Sequence, residues 1–243
     1  MKRIAIIGKG NVGTHLNKLF KSSNFKVDFL SARNLTHISD SYDLILITVS
    51  DTYIKKLAES VSRMLPKFKG IVAHTAGSVD ISVFNSLFSN FGVVYPMQSF
   101  SKDIPINNYS DIPIFIEGSS DNVTKELRDM VSVIFSKIYV LSSEKRLILH
   151  VASVFSCNFA NALYMMAEDI LSDYDIQFES MRPLIRQTST KILSHTPVDC
   201  QTGPAVRGDM KIMEKHLQLL GKYPPLQEIY KNISTYIYHK FNK

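Results

Sequence analysis

Three glycines near the N-terminus stand between an apolar run and an amphipathic one, in the stretch RIAIIGKGNVG. Gly8, Gly10 and Gly13 form a G-x-G-x-x-G pattern, in which the first glycine permits a tight turn, the second lets a ligand approach and the third lets a helix pack on a strand. The amides of Asn11 and Val12 would then face an anion at the positive end of that helix. The pattern therefore predicts a site for the pyrophosphate of a dinucleotide.

The end of the second predicted strand, KVDFL, indicates which dinucleotide the site takes. An NAD site usually carries an acidic residue there, which binds the ribose 2′-hydroxyl. Asp28 lies inside the strand, whereas Ser31 and Arg33 occupy the region at its end. Because a hydroxyl and a guanidinium suit a 2′-phosphate, we expect NADP in preference to NAD. The alternative for Arg33 is a solvated arginine in a loop.

Polar residues also follow three later apolar runs, and ligands of open α/β sheets bind beyond the carboxyl ends of strands. Val49 and Ser50 are assigned to the cofactor, while Asp51 is either part of the site or the cap of the next helix. His74 is interpreted either as a proton donor or as a structural histidine. Two further residues are candidates for contact with a substrate, Ser78 and Gln98.

A long helix is predicted from about Ser142, and its two sides differ. One side carries small polar groups, which we interpret as the lining of a cleft, the alternative being ordinary polar contacts between helices. His150 and Asn158 are the catalytic candidates on this helix. The other side is apolar: Ile148, Val151, Phe155, Phe159 and Met166. Residues 147–167 carry no charge, but their polar side chains favour a helix buried within protein over a membrane span.

The stretch TGPAVRGDMKIMEKH concentrates special residues near the C-terminus. The glycine and proline at 203 and 204 predict a turn, and Asp209 is expected to cap the next helix on the same face as His216. Arg207 is a candidate for binding an anionic group of a substrate, with Asp209 beside it, and His216 is a candidate proton donor. The alternative is an interface turn held by an Arg–Asp pair.

The elements that must position these residues alternate between strand and helix up to residue 141. The predicted strands are Arg3–Ile7, Lys26–Leu30, Leu44–Val49, Ile71–His74, Val93–Tyr95, Ile114–Glu117 and Ile138–Leu141. This order predicts a doubly wound, mainly parallel sheet of the Rossmann type in residues 1–141, a dinucleotide-binding domain. Residues 142–243 are expected to form an all-α domain for substrate binding and dimerisation.

Composition narrows the function classes. The net charge of +6 favours anionic partners, but the charges are scattered, so we expect a small-molecule substrate and no nucleic acid. Two cysteines far apart indicate neither a disulfide framework nor a metal site. The N-terminal apolar run is too short for a signal peptide, so a cytoplasmic location without membrane attachment is the expectation.

These motifs together resemble an uncharacterised bacterial family that joins a Rossmann-like NADP-binding domain to a helical C-terminal domain of unknown function. The resemblance rests on GKGNVG, SARN, HTAGS, YPMQSF, LHVASVFSCNFANAL and the C-terminal stretch, and it covers nearly the whole chain. More distantly, the layout is similar to pyrroline-5-carboxylate reductase, ketopantoate reductase and the β-hydroxyacid dehydrogenases. These relatives imply hydride transfer in a cleft between two domains and a homodimer built on the helical half.

One departure from those relatives concerns a catalytic pair. The β-hydroxyacid dehydrogenases use a lysine and an asparagine four residues apart on the first C-terminal helix, but here Lys145 is followed at that spacing by Leu149. His150 and Asn158 are the nearest substitutes. The expected function is an NADP-dependent oxidoreductase acting on a small carbonyl, imine or hydroxy acid, and the alternative is a non-catalytic NADPH sensor.

Overall fold

The computed structural model describes residues 1–242, and the first part of the chain forms one seven-stranded sheet. The strand order is β2-β1-β3-β4-β5-β6-β7, and all neighbouring strands are parallel except β5 and β6. The strands are β1 Arg3–Ile7, β2 Lys26–Leu30, β3 Leu44–Ile47, β4 Ile71–His74, β5 Phe91–Pro96, β6 Ile114–Gly118 and β7 Ile138–Val140. The predicted fold class is confirmed, with differences of three residues or fewer at strand ends.

Helices cover both faces of this sheet because side chains alternate along each strand. Ile4 and Ile6 of β1 belong to one apolar cluster, and Ala5 and Ile7 belong to the other. The first cluster is closed by α1 (Asn11–Lys21) and α3 (Asp121–Val131), and the second by α2 (Asp51–Met64). Parallel strands buried on both faces read as continuous apolar runs, which explains why the sequence located them well.

Two helix starts differ from the sequence expectation. Ser120, and neither Asp121 nor Asn122, caps α3 by accepting a hydrogen bond from the Val123 amide at 3.3 Å. Asp51 is the first residue of α2 and does not cap it. A capping residue needs extended backbone, and both aspartates already have helical backbone.

A continuous helical stretch follows β7. It comprises α4 Ser143–Ser153, a π-helical segment Val154–Phe159 and α5 Ala160–Ser172. Ser142 caps it, as expected, through the Lys145 amide. The expectation that this helix is buried within the protein is wrong for the single chain, because none of its most apolar 18-residue window is buried. By length and composition alone, Ser143–Ser172 is also long and apolar enough to cross a membrane.

The C-terminal part is helical throughout the described residues. Its helices are α5, α6 Arg182–Ile192, α7 Pro197–Cys200, α8 Pro204–Arg207, α9 Met210–Leu219 and α10 Pro224–Phe241, with short 3₁₀ turns at Phe178–Met181 and Leu220–Lys222. Gly203, at φ 113°, makes the predicted turn, since other residues rarely adopt such a backbone. Asp209 caps α9 by accepting from the Ile212 amide at 3.3 Å, which confirms the expectation.

The chain divides into two compact units, Met1–Phe159 (unit 1) and Ala160–Lys243 (unit 2). The helix α4 and the π-helical segment therefore belong with the sheet. The assignment of residues 1–141 to the dinucleotide and 142–243 to substrate and dimerisation concerns function, and it stays a prediction.

Candidate functional site

The glycine turn after β1 is built as its spacing predicted. Gly8 has φ +126°, and its amide donates to the Leu30 carbonyl at the end of β2, at 3.0 Å. Thr48, which follows β3, donates its hydroxyl to the Gly8 carbonyl at 2.9 Å. A methyl group at Gly13 would lie 2.0 Å from the same carbonyl oxygen. Gly8 and Gly13 are therefore required by the packing of the turn itself.

Gly10 differs from the other two glycines because the protein leaves the space beside it open. A methyl group there would meet nothing nearer than the Thr48 carbonyl oxygen at 3.9 Å. Within the described residues, no side chain caps α1, and its first turn holds no acidic residue. Its first amides, at Asn11 and Val12, are thus available to an anion at the positive helix end. These features fit the pyrophosphate of a dinucleotide.

The turn lies where the strand order reverses, because β1 stands between β2 and β3. The crevice at the carboxyl ends of two such strands is where open α/β sheets bind ligands. Ser50 is exposed just before α2 at this edge, and Val49 packs against the second apolar cluster. Both predicted positions therefore belong to the correct edge of the sheet.

The end of β2 carries cationic and hydroxyl groups and no free carboxylate. Asp28 lies within β2, where its half-exposed carboxylate accepts from the Tyr42 hydroxyl at 2.7 Å and pairs with Arg3 at 3.4 Å. Ser31 is half-buried and Arg33 is exposed just beyond the strand. Neither Ser31 nor Arg33 would repel a 2′-phosphate.

Lys9 joins this region, and the sequence reasoning did not name it. Its ammonium lies 5.5 Å from the centre of the Phe29 ring, on the strand that leads to Ser31. The signal was present, because Lys9 is the residue between the first two glycines of the motif and the turn fixes its position.

A cavity of about 580 Å³ opens beside the N-terminus of α1. Val12, Thr75 and the segment from Tyr95 to Ser99 form one wall, and α4 with the π-helical segment forms the other. The second wall consists of Leu149, His150, Ala152, Ser153, Ser156, Cys157 and Asn158. The cavity thus brings together four predicted residues, Val12, Gln98, His150 and Asn158. Its lining contains no Asp, Glu, Lys or Arg.

His74 does not belong to this cavity, so its role as proton donor is corrected. The ring is fully buried, lies 5.5 Å from the Phe84 ring, and accepts from the Ala76 amide at 3.2 Å. Burial, followed by the charge of Arg146, lowers the pKa of His74 from 6.5 to about 3. The imidazole is therefore neutral near pH 7 and serves the core.

Tyr95 is a residue of the cavity that the sequence reasoning missed. Its hydroxyl lies 3.2 Å from Nδ1 of His150, and a methyl group at Gly77 would lie 2.7 Å from the same nitrogen. Burial raises the pKa of Tyr95, so the phenol keeps its proton. The predicted strand ended at Tyr95, whereas β5 runs through Pro96, and Tyr95 lines the cavity.

Ser78 contacts a second predicted position, Asp51, and neither lines the cavity. The Ser78 hydroxyl donates to the Asp51 carboxylate, and both residues are exposed at the sheet edge that carries the glycine turn. The candidate role of Ser78 in substrate contact stays a prediction.

The remaining predicted residues lie in unit 2. Arg207 is exposed at the end of α8, and Asp209 uses its carboxylate to cap α9. Across residues 1–242, no ion pair joins Arg207 to Asp209 within the chain, and the alternative of an interface turn stays a prediction. His216 contacts the Tyr230 hydroxyl through Nδ1 at 2.8 Å. In the same described range, no cluster of His, Cys, Asp and Glu could hold a metal ion.

Sheet, glycine turn and helical C-terminal part together define a Rossmann-like protein with a helical extension. The chain belongs to the family described as domain of unknown function DUF2520, whose model matches residues 112–237. The expected family is therefore confirmed. Among curated proteins, no sequence matches this chain.

Solved structures of similar proteins agree with the fold. A proposed NADP oxidoreductase from Bacteroides fragilis is 31% identical, with a TM-score of 0.89 and 98% of each chain covered. A protein from Thermotoga maritima is 18% identical, with a TM-score of 0.72 and 96% of each chain covered. The pyrroline carboxylate reductase of Plasmodium falciparum, solved with NADP bound, is 11% identical, with a TM-score of 0.58 over 98% of this chain and 100% of that one.

Proposed function

We propose that the protein is an NADP-dependent oxidoreductase that reduces a small carbonyl, imine or related hydroxy-acid metabolite, or catalyses the reverse oxidation. The observation that carries the proposal is the position of Val12. Its amide belongs to the uncapped N-terminus of α1, and its side chain lines the cavity that holds His150. A dinucleotide bound at the turn would thus end beside a histidine.

The residues at the glycine turn support binding of the pyrophosphate. Asn11 and Val12 would donate their amides to the phosphate oxygens, and Gly10 leaves room for them. Ser31, Arg33 and Lys9 would bind the 2′-phosphate, because two cations and a hydroxyl surround the end of β2. This set favours NADP over NAD.

His150 is the proton donor in this proposal. When bound, NADPH would supply the hydride that reduces the electrophilic carbon of the substrate. The oxygen or nitrogen of the substrate gains the former π electrons and takes the Nε2 proton of the His150 imidazolium. The ring, left neutral, recovers a proton from water. Asn158 and Gln98, on opposite walls, would orient the substrate through their amides.

The test is a titration of nucleotide-free protein with NADPH and NADH, followed by the fluorescence of the reduced nicotinamide. We expect tighter binding of NADPH, and an Arg33→Ala variant should lose roughly 10- to 100-fold in affinity for NADPH alone, since a charge-assisted hydrogen bond is removed. Arg128→Ala, an exposed arginine of α3, is the matched control.

The outcomes separate the alternatives. Equal affinity for both nucleotides, unchanged in the Arg33 variant, would contradict the NADP assignment. Tight binding of NADPH without oxidation of it by any carbonyl or imine would favour the second candidate, a sensor that uses NADPH occupancy to recruit a partner.

We also propose that two copies associate through the apolar side of α4 and the π-helical segment. Ile148, Val151, Phe155 and Phe159 are exposed there, and Phe155 retains 66% of its surface. The rings of Phe155 and Phe159 contact each other at 5.0 Å, so they form one apolar patch. We propose a cytoplasmic location as well, and there such a patch favours a second copy as its cover.

Sedimentation equilibrium tests this association. The wild-type chain should be a dimer, and Phe155→Asp should be a monomer. Val133→Asp, which alters an exposed apolar residue elsewhere in unit 1, should stay dimeric. A monomeric wild-type protein would contradict the proposal, and binding to lipid vesicles would indicate a membrane as the cover instead.

A further inference from the structure

The immediate surroundings of His150 define how its ring meets a ligand. Nδ1 faces the Tyr95 hydroxyl at 3.2 Å, and the two rings meet edge to face at 6.0 Å. Gly77 makes this contact achievable, because a methyl group there would lie 2.7 Å from Nδ1 and 2.8 Å from the Tyr95 ring. Nε2 has no hydrogen-bond partner in the described chain, and His150 lines the cavity. Nε2 is thus the nitrogen left for a ligand.

The contact with Tyr95 engages Nδ1 of His150 and leaves Nε2 facing the cavity. Burial raises the pKa of Tyr95, with the Ser153 hydroxyl acting in the opposite direction, so the phenol keeps its proton and can both donate and accept. In the imidazolium form both ring nitrogens carry a hydrogen, so Nδ1 donates to the Tyr95 oxygen and Nε2 presents a donor to the cavity. When Nε2 gives up its proton, the hydrogen that remains on Nδ1 still has the Tyr95 oxygen as its acceptor.

The charged groups that act on Tyr95 have their hydrogen-bond or ion-pair partners outside the cavity. The Asp51 carboxylate accepts from Ser78, and neither residue lines the cavity. Arg146 is buried in an ion pair with Glu117 and also donates to the Val79 carbonyl at 2.6 Å. A ligand group in this cavity therefore meets neither a carboxylate nor a basic side chain of unit 1, apart from His150 itself.

From these observations we infer that the cavity takes an uncharged aldehyde or ketone, whose oxygen accepts a hydrogen bond from Nε2 of His150, and that Tyr95 is the positioning residue that holds Nε2 toward it. The inference rests on the proposed function and selects one of its substrate classes. A protonated imine is a cation with an N–H of its own, so it would meet a donor where it needs an acceptor or a carboxylate.

The reaction on such a substrate is balanced by groups already named. The carbonyl carbon forms a bond to the hydride of NADPH, the C=O π electrons become a lone pair on oxygen, and the oxygen takes the Nε2 proton. The products are an alcohol, NADP⁺ and neutral His150, which regains a proton from water. The uncharged walls lower the local polarity and so strengthen the single hydrogen bond that the oxygen receives.

The first test does not depend on turnover. In protein labelled with ¹⁵N-histidine, the Nε2 resonance of the His150 imidazolium, assigned with a His150→Gln variant, should shift when benzaldehyde is added. Tyr95→Phe, which keeps the aromatic ring but cannot bind Nδ1, should weaken this response. No shift in the wild-type protein would overturn the inference, whether or not NADPH binds.

The second test distinguishes the substrate classes. Benzaldehyde, used as a probe without nucleotide, should shift the Nε2 resonance, whereas protonated 1-pyrroline should not. With NADPH, we expect reduction of aldehydes or ketones, and Tyr95→Phe should lower kcat about tenfold or more while leaving the Kd for NADPH unchanged. Gly77→Ala, which crowds Nδ1, should act in the same way.

The failures are distinguishable. Reduction of imines but of no aldehyde or ketone would overturn the inference and leave the proposed function intact. Failure to bind NADPH would remove the proposed function, while the response of His150 to benzaldehyde would still decide the inference.

Discussion

The two units of this chain bury their apolar residues to very different extents. In unit 1, two apolar clusters fill both faces of the sheet, and the strands β1, β3 and β4 are almost wholly buried. Among the described residues of unit 2, the buried apolar side chains are those of Ala205, Met213 and Leu220. Yet unit 2 is rich in Leu, Ile, Met and Tyr, many of them exposed.

The difference shows what each architecture can achieve alone. A sheet covered on both faces gives each helix that packs on it an apolar partner, so the sheet of unit 1 is complete within one chain. A group of helices must bury its stripes against other helices, and unit 2 offers too few. The proposed second copy would cover the apolar side of α4 and the π-helical segment in unit 1, and measurements on both units can test whether unit 2 is covered as well.

The largest expected difference between the two units is in the free energy of unfolding lost when a leucine of each unit is replaced by alanine. Leu46→Ala removes a fully buried side chain of β3, so we expect a loss of about 4 kcal/mol in the free energy of unfolding. Leu184→Ala in α6 alters a side chain that is 62% exposed and should cost less than about 1 kcal/mol. Urea denaturation of both variants measures this. Equal losses would mean that Leu184 is covered in solution.

The two units should also differ in how much one ion pair contributes to the free energy of unfolding. Arg146→Met leaves Glu117 without its buried partner and should lower the free energy of unfolding by about 3 kcal/mol. Lys222→Met breaks the exposed pair with Asp173 and should have no measurable effect. A double Arg146→Met/Glu117→Gln variant should recover part of the loss. A tolerated Arg146→Met would mean that Glu117 finds another partner.

Acid should destabilise unit 1 through His74. The pKa of His74 is about 3 in the folded protein, below its ordinary value of 6.5, so the unfolded chain binds the extra proton first. Stability is therefore lost as the pH falls from 6.5 toward 3, by about 1.4 kcal/mol per unit, or about 2 kcal/mol at pH 5. His74→Phe should show a shallower decline in unfolding free energy.

His195→Phe is the control for His74→Phe, because it removes an exposed histidine of unit 2. Its pH dependence should match that of the wild-type protein. If His74→Phe keeps the full acid sensitivity, other groups cause it.

Removing a helix cap should give the smallest loss of stability, and the loss should be similar in the two units. Ser120→Ala in α3 and Asp209→Ala in α9 each remove a single hydrogen bond to a first-turn amide, so each should cost about 1 kcal/mol. Thermal unfolding of both variants measures this. A much larger loss at Asp209 would indicate that the residue does more than cap its helix.

The sequence predicted the sheet more fully than the surroundings of the site. Apolar runs followed by polar turns located β1 and β4 to the residue, because buried parallel strands carry an uninterrupted local signal. The glycine turn was predicted for the same reason, since spacing alone specifies it. The burial of α4 was predicted wrongly, because composition does not reveal whether a helix is covered by its own chain.

Local sequence patterns did not predict which polar side chains contact each other in and near the site. The contacts of Tyr95 with His150 and of Ser78 with Asp51 join residues 55 and 27 positions apart. His74 was ambiguous because its location at a strand tip does not reveal that Phe84 folds over it. Roles for Arg207 and His216 stay predictions.

The end of unit 1 at Phe159 has a consequence for biosynthesis. All residues of the sheet and its covering helices are translated before unit 2 begins, and domains generally fold from the N-terminus during synthesis at about 5–20 residues per second. The sheet therefore has on the order of ten seconds to fold while the ribosome completes the remaining helices. The exposed apolar side chains of unit 2 appear last, which shortens the time in which a nascent chain presents them to other proteins.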